Sequence, residues 1–280
     1  MDDTTKASGI RCRGRYCKHV EHSSSLVFPR RITDSILWSG GCIELELRGE
    51  TVHSHFANYV VRGEKKTLLV DTGHPIHLDT IEPSLEDFLD GRTVDYIFPT
   101  HGEFPHMGLM ARWMRKFPNA KIIGDVRDYA LYFPDEADRF HVMNLGDSVD
   151  LGGREFVLVP AIWCDLKDTV WGFETGDRVL FTADGFALTH HHAPGNCGLM
   201  TSEAPIPDIK MMQMVTEITL QWTRYTDTAH TFAALDQLIN ILKPLKIAPA
   251  HGPVIDSLEM MVPVIKAGME VMPREKKVGA

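Results

Sequence analysis

Three side chains that can bind a metal lie within six residues of one another, in the segment THGEFPHMG at positions 100–108. They are His101, Glu103 and His106, and they follow the apolar run 95–99, which is typical of a buried strand. Loops at the carboxyl ends of strands are where open α/β proteins bind their ligands. A single histidine after a strand is more often a cap or a packing residue, so this segment alone is a weak signal.

Three further predicted strands are followed by a histidine or a carboxylate. These residues are Asp165 and Asp168 after strand 155–160, Asp184 after strand 179–183, and His251 after strand 246–249. An isolated Asp-Gly pair such as the one at 184–185 is usually a turn. Four strand ends that all carry potential ligands nevertheless favour one shared site for more than one metal ion.

The elements that must position these residues fall into two halves, each with strands followed by helices. Predicted strands cover 42–48, 52–61, 67–71, 95–99 and 121–124, and then 148–150, 155–160, 171–175, 179–183 and 246–249. Predicted helices cover 78–90, 108–117, 125–132, 208–224, 229–242 and 257–272. Two sheets with helices on both outer faces account for this order. We therefore predict an α/β protein with an αββα sandwich, formed by a single domain over residues 26–280.

Residues 1–25 are polar and basic, and we predict a flexible arm there. The arm contains Cys12, Cys17, His19 and His22, whose spacing lacks the close CxxC pair of most zinc sites. We therefore predict no metal in the arm. It also lacks the apolar core of a signal peptide.

The composition argues against several classes of protein. Of the 280 residues, 44% are hydrophobic and 24% are charged, as in an ordinary globular protein. A net charge of −9 argues against nucleic-acid binding, and no apolar run approaches the ~20 residues that span a bilayer. The five cysteines are scattered and odd in number, as in proteins of a reducing compartment. We expect a cytoplasmic protein that binds neither membrane nor nucleic acid.

On these motifs the chain resembles the metallo-β-lactamase superfamily over about residues 35–255. The family signature H-x-[HE]-x-D-H is matched at 101–106, and the early D-T-G of the family at 71–73. Glutamate at the third signature position is similar to the flavodiiron branch, which contains diiron oxygen or nitric oxide reductases. A bridging aspartate and a late histidine of that branch are matched by Asp184 and His251.

Two positions depart from the flavodiiron pattern. Pro105 stands where the family has a metal-binding aspartate, and proline has no side-chain donor. Asp165 stands where the family has a histidine, because Asp165 and Asp184 are 19 positions apart, which is the spacing of the two ligands in that branch. The resemblance therefore implies that Asp165 is a ligand in place of a histidine.

The resemblance implies two divalent metal ions. The implied ligands are His101, Glu103, Asp165 and a bridging Asp184 for one ion, and His106, Asp184 and His251 for the other. Because Pro105 donates nothing, the second ion is the weaker one; alternatively its position is empty and the site is mononuclear or degenerate. Three carboxylates are hard ligands, so we expect iron or manganese in preference to zinc.

The fold alone does not determine the function, and three alternatives follow. The main one is a metal-dependent hydrolase, in which a metal-bound hydroxide attacks an ester, lactone, amide or activated aryl ether. Asp184 and His190 would be its catalytic residues, with His190 donating to the substrate; a solvated run of histidines at 190–192 is the other interpretation. The second alternative is a diiron oxygen-binding or redox protein with a separate electron donor, since the sandwich fills this chain and leaves no flavodoxin-like domain. The third is a non-catalytic subunit with a degenerate site.

The expected partners are a small molecule and another subunit. Phe104, Trp163, Trp171 and Phe186 near the predicted site suggest an apolar or aromatic substrate, although core packing is the other interpretation of these rings. The methionines at 210–215 are typical of an adaptable packing surface. We therefore also predict a homo-oligomer or a hetero-oligomer with a related subunit.

Overall fold

Two β-sheets packed face to face form the centre of the protein, in a computed structural model that describes residues 10–12, 29–47, 49–193 and 196–270. The first sheet comprises β1 (Ile10–Cys12), β2 (Arg30–Thr33), β3 (Ile36–Leu47), β4 (Glu50–Arg62), β5 (Thr67–Val70), β6 (Tyr96–Phe98), β7 (Lys121–Gly124) and β8 (Phe140–Val142). Its order is β1-β3-β4-β5-β6-β7-β8, and β2 also pairs with β3. The second sheet comprises β9 (Ser148–Asp150), β10 (Glu155–Pro160), β11 (Val170–Glu174), β12 (Val179–Phe181) and β13 (Lys246–Ala248), in the order β13-β12-β11-β10-β9.

Helices cover the outer faces of both sheets. They are α1 (Leu78–Leu89), α2 (Phe104–Met107), α3 (Met110–Lys116), α4 (Tyr129–Tyr132), α5 (Ile209–Thr219), α6 (Ala229–Leu242) and α7 (Leu258–Glu270). Short 3₁₀ segments lie at Pro75–His77, Pro134–Arg139 and Gln221–Arg224. Among the described residues, we find no helix with the length and apolar character needed to cross a bilayer.

Alternation of side chains along the strands creates the layers of the sandwich. On β3, Trp38 packs between the two sheets, whereas its neighbour Leu37 packs against α1 and α3. On β4, Val61 and Val60 divide in the same way. Successive residues of a strand point to opposite faces, so a sheet with apolar residues on both faces must be covered on both.

Helix α1 shows how the outer layer is attached. Its buried residues are Ile81, Leu85, Phe88 and Leu89, a spacing that places all four on one helical face. That face packs on the outer side of the first sheet, together with Trp113 of α3. Asp90 follows the helix, and its φ of 50° is the left-handed conformation common after helices.

Truncation of Leu85 to alanine should lower the free energy of unfolding by about 2–5 kcal/mol, because Leu85 is fully buried and its loss leaves a cavity. The matched control is Leu131→Ala, since the side chain of Leu131 is 80% exposed. We expect that control to change stability by less than about 0.5 kcal/mol. Urea denaturation of both variants measures the difference, and equal effects would contradict the packing of α1 on the first sheet.

The direction of the strands brings the candidate ligands to one edge. Strands β5 and β6 run parallel, so residues that follow them lie at the same end of the first sheet. In the second sheet β12 and β13 are parallel, and β10 points the same way because both β10 and β12 are antiparallel to β11. Backbone hydrogen bonds join the first sheet to the second at this edge, from Ala57 N to Ala250 O (2.9 Å) and from Val170 N to Thr100 O (2.9 Å).

The structure confirms the predicted αββα sandwich and corrects several element boundaries. Strand β3 begins earlier than predicted, at Ile36, because its first half pairs with both β2 and the second half of β4, and β4 extends over Glu50–Arg62. The predicted helix 108–117 is found as α3, Met110–Lys116, and a separate short helix that was not predicted, α2, precedes it with proline in its first turn. The predicted helix 208–224 ends at Thr219 and continues as a 3₁₀ turn.

The predicted arm lies largely outside the described residues. Residues 10–12 within the arm form β1, whereas Cys17, His19 and His22 lie outside the described residues, so the division into an arm and a domain at 26–280 stays a prediction.

Helix α5 buries Met211, Met212 and Met214 inside the chain, where they pack against α7. These methionines therefore serve the core, and the oligomer also stays a prediction.

Candidate metal centre

Four candidate ligands from two sheets form a compact group. His101, Glu103, His106 and Asp184 each offer a donor atom, and these atoms all lie within 4.8 Å of one another. The first three stand in the loop and short helix after β6, and Asp184 stands after β12 of the other sheet. The group therefore forms only when the sandwich is assembled.

Asp165 and His251 lie against this group from two further strand ends. Asp165 Oδ2 is 3.7 Å from His101 Nε2, and His251 Nε2 is 3.4 Å from Asp184 Oδ1. The structure thus brings together all six residues that the sequence predicted as ligands. Their binding of metal stays a proposal.

Asp71 orients His106. Its Oδ2 accepts a hydrogen bond from His106 Nδ1 at 2.8 Å, while its Oδ1 accepts one from the backbone N–H of Thr100 at 2.7 Å. With its Nδ1 proton fixed in this way, His106 directs Nε2 towards Asp184 Oδ1, 3.2 Å away. The sequence predicted no role for Asp71, although it is the aspartate of the DTG at 71–73 that follows β5.

A backbone carbonyl orients His251, and a hydrogen bond to a backbone N–H connects two loops of the site. His251 Nδ1 donates to the carbonyl oxygen of His55 at 2.7 Å, which leaves Nε2 directed at Asp184. Asp168 accepts a hydrogen bond from the N–H of Gly102 at 3.0 Å and so ties the loop after β10 to the loop of His101. Hydrogen bonds of this kind fix the tautomer and the direction of metal-binding histidines.

At two strand ends, a residue other than glycine adopts the left-handed backbone conformation. Asp71 has a φ of 54° and Ala183, which precedes Asp184, has a φ of 48°. Such conformations cost of order 1–3 kcal/mol each and persist where the surrounding structure enforces them. Both turn the chain sharply at the point where a site residue leaves its sheet.

Burial and charge at the centre match what a cation requires. His101 Nε2, His106 Nε2 and Asp184 Oδ1 are buried and form no hydrogen bond with any described residue. Burial alone would raise the pKa of Asp184, but the charges of His251 and His106 hold that pKa well below its usual value. Burial alone would lower the pKa of His106, but the carboxylates of Asp71 and Asp184 raise it well above its usual value. A cation between these three buried atoms would satisfy all of them in place of hydrogen bonds. The residues therefore fit a metal centre.

A cavity of about 720 Å³ opens onto the candidate ligands. Its apolar wall comes from β3 and α5 and from the 3₁₀ turn after α5, and includes Ile43, Leu45, Val215 and Trp222. Glu103, Asp165, Asp184 and His251 line its polar floor, and Pro105 lies beside them without a donor. Pockets of this size hold small organic molecules.

Three predicted pocket rings belong to the core. Trp163, Trp171 and Phe186 are fully buried and pack together under the second sheet, with ring centroids of Trp163 and Phe186 4.8 Å apart. Phe104 is 59% exposed and packs edge-on against His74. The apolar character of the cavity therefore comes from other residues than those predicted.

His190 does not line the cavity, contrary to its predicted role as a donor to the substrate. Its ring stacks on His55, with centroids 4.9 Å apart, and its backbone pairs with His53. The loop pairs with β4 at His190, while Ala187 and Thr189 of the same loop line the cavity. His190 belongs instead to a separate group of histidines beside the hairpin.

The model of the metallo-beta-lactamase superfamily matches residues 57–203, and the chain belongs to this superfamily. The match covers the strands and loops that carry five of the six candidate ligands, all but His251. Flavodiiron proteins are among the relatives and solved structures that the chain resembles, which confirms the resemblance indicated by Glu103.

Two relatives and one solved structure illustrate the similarity. The coenzyme F420H(2) oxidase of Methanothermobacter marburgensis is 30% identical over 169 residues, which is 56% of this chain and 41% of that protein. The anaerobic nitric oxide reductase flavorubredoxin of Vibrio vulnificus is 29% identical over 140 residues, 49% of this chain and 28% of that protein. The rubredoxin oxygen:oxidoreductase of Desulfovibrio gigas superposes with a TM-score of 0.69 at 18% identity, over 86% of this chain and 61% of that one. The chain thus spans less than half the length of these two relatives.

Proposed function

We propose that this protein is a metal-dependent oxidoreductase that binds two iron ions and reduces a small oxygen- or nitrogen-containing molecule. The convergence of three histidines and three carboxylates on buried donor atoms is the observation that carries this proposal. Relatives named as an F420H(2) oxidase and a nitric oxide reductase support redox chemistry, whereas hydrolysis, the main expectation from the sequence, has no such support.

The side chains divide into two sets around Asp184. His101, Glu103 and Asp165 would hold one ion, and His106 and His251 the other, with Asp184 between them. When bound, iron supplies the electrons for reduction of the small molecule. The apolar wall of the cavity lies beside these side chains, and Asp71 binds the Nδ1 proton of His106, which leaves Nε2 for an ion. The described residues form the sandwich alone, so the electrons would come from a donor outside them.

Hydrolysis is a second candidate because of the size and lining of the cavity. A space of about 720 Å³ is far larger than a diatomic gas requires, and its apolar wall suits an aromatic ester or ether. Pro105 leaves one side of the floor without a carboxylate, where such a substrate could approach the centre.

Metal loading separates the two functions. The purified full chain is stripped by chelation and reloaded without air with Fe(II), Mn(II) or Zn(II). We expect two irons per chain and consumption of nitric oxide or dioxygen only by the iron form in the presence of a reduced dye, because zinc has no redox chemistry. Each form is also incubated under argon with an activated aryl ester and an aryl ether. Hydrolysis of the ester or ether by the zinc form, with no consumption of nitric oxide or dioxygen by the iron form, would show that the protein is a hydrolase and not an oxidoreductase.

Substitution of Pro105 by aspartate should increase occupancy of the second metal position. Pro105 lies in the first turn of α2, where a carboxylate is compatible with the helix and the backbone needs no proline. A further carboxylate at the cavity floor should strengthen binding of the second ion about tenfold or more. Metal titration measures the change, and Pro105→Asn is the matched variant without the charge. Equal affinities for the two variants would show that position 105 does not face a metal.

A further inference from the structure

A second group of histidines, together with a cysteine, lies where the middle of β3 and β4 meets the loop after β12. It shares no residue with the candidate metal centre. Cys42 of β3 pairs in register with His55 of β4, and His53 lies two residues away on the same face of the strand. His190 and His192 approach from the loop after β12. Mutual backbone hydrogen bonds of 2.8 Å between His53 and His190 hold that loop against the hairpin.

The donor atoms of this group lie at the spacing of a metal site. Cys42 Sγ is 3.2 Å from His192 Nε2 and 3.6 Å from His53 Nδ1, and the three residues offer donor atoms that all lie within 4.8 Å of one another. Zinc binds sulfur at about 2.3 Å and imidazole nitrogen at about 2.0 Å in a tetrahedron, which separates its S and N ligands by roughly 3.6 Å. The observed distances therefore need little movement to admit an ion.

Hydrogen bonds and burial leave suitable lone pairs at the site. His192 Nδ1 donates to the carbonyl oxygen of Ala193 at 2.8 Å, so its Nε2 has the lone pair and faces Cys42 Sγ. His190 Nδ1 is buried and has no hydrogen-bond partner among the described residues. Both nitrogens are therefore suited to bind an ion.

We propose that Cys42, His53 and His192 bind one zinc ion, with His190 as the fourth ligand. A second possible triad, Cys42 with His55 and His190, shares the same sulfur, and we assign one ion to the whole group. His190 connects the two triads, its ring centroid lying 5.2 Å from that of His192. A thiolate and imidazoles without a carboxylate select zinc over iron or manganese, in contrast to the oxygen-rich centre.

The ion would fix the loop after β12 to the hairpin. That loop contributes Ala187 and Thr189 to the cavity wall, and the N–H of Leu188 bonds to the carbonyl oxygen of His251 at 2.9 Å. Zinc would therefore stabilise one wall of the cavity and the strand end of His251 without taking part in chemistry.

Cobalt binding tests the site, because a cysteine ligand gives Co(II) a thiolate-to-metal charge-transfer band that oxygen and nitrogen ligands do not. The purified full chain, freed of metal and reduced, is titrated with Co(II). We expect one equivalent of this band and its displacement by one equivalent of Zn(II). The band should vanish in Cys42→Ser and persist in Cys164→Ser and in Asp184→Asn, which isolates it from the candidate metal centre.

A second pair of variants covers the case in which Cys42→Ser does not fold. His192→Ala should weaken Zn(II) binding at this site by roughly a hundredfold, the share of one ligand in a four-ligand zinc site. His191→Ala is the matched control, since His191 is exposed and belongs to neither triad. A wild-type chain without the band, a band that survives Cys42→Ser, or equal affinities of the His191 and His192 variants would each overturn the proposal.

Discussion

Asp184→Asn should lose the second metal ion and nearly all activity while the fold survives. His106 Nε2 and His251 Nε2 approach the same carboxylate oxygen, at 3.2 and 3.4 Å, so Asp184 lies between the two sets of ligands. Asparagine keeps the shape but removes the negative charge that would help to neutralise two cations. Because Pro105 contributes no donor, the second ion depends on Asp184 more heavily than it would with a full ligand set.

The measurements are iron per chain, turnover with a reduced dye, and thermal unfolding. The alternative role for Asp184 is a cap for the turn at Gly185, in which case asparagine would serve equally well. The structure closes that turn through the backbone, from Gly185 N to Thr182 O at 2.8 Å, and does not need the carboxylate. Asp236→Asn, at an exposed position of α6, controls for the loss of one charge. Normal metal content and normal turnover in Asp184→Asn would end the two-metal proposal.

Much of the fold could be predicted because its signals are local. The helix at 78–90 is found as Leu78–Leu89, and the strand KIIG is found at Lys121–Gly124, because apolar spacing over a few residues determines each. The first half of β3 and the short strand β8 had no such signal. They become strands through pairing, of β3 with β2 and β4 and of β8 with β7, and sequence periodicity carries no information about pairing.

The sequence predicted the place of some residues of the candidate site and missed the role of others. Spacing identified His101, Asp184 and His251, because strand direction alone brings their loops together. The role of Asp71 was missed because it depends on a hydrogen bond to His106, 35 residues later in the chain. The interpretation of His190 as a cavity residue was wrong for a similar reason: its pairing with His53 turns it towards the hairpin.

Asp71→Asn should weaken metal binding about 10–100-fold, although the side chain at position 71 would touch no metal. The carboxylate of Asp71 accepts three hydrogen bonds, one at Oδ1 from the N–H of Thr100 at 2.7 Å and two at Oδ2, from His106 Nδ1 at 2.8 Å and the Thr100 hydroxyl at 3.2 Å. An amide has one acceptor oxygen, so it cannot accept from both the N–H of Thr100 and His106 Nδ1, which bind different oxygens of Asp71. The backbone φ of 54° at position 71 is one that asparagine tolerates, so the substitution tests the side chain rather than the turn.

The expected weakening follows from the tautomer of His106. If the amide oxygen serves Thr100, the NH₂ group faces His106 Nδ1, which must then accept a hydrogen bond and carry its proton on Nε2. A protonated Nε2 cannot bind metal, so the second ion loses one of its few ligands. Asp95→Asn is the matched control, because Asp95 accepts a backbone hydrogen bond from Thr67 at 2.8 Å but touches no candidate ligand. Metal titration of both variants, with thermal unfolding of the metal-free forms, separates orientation from stability. If Asp71→Asn binds metal as tightly as Asp95→Asn, then His106 does not need Asp71 to direct its Nε2 at the centre.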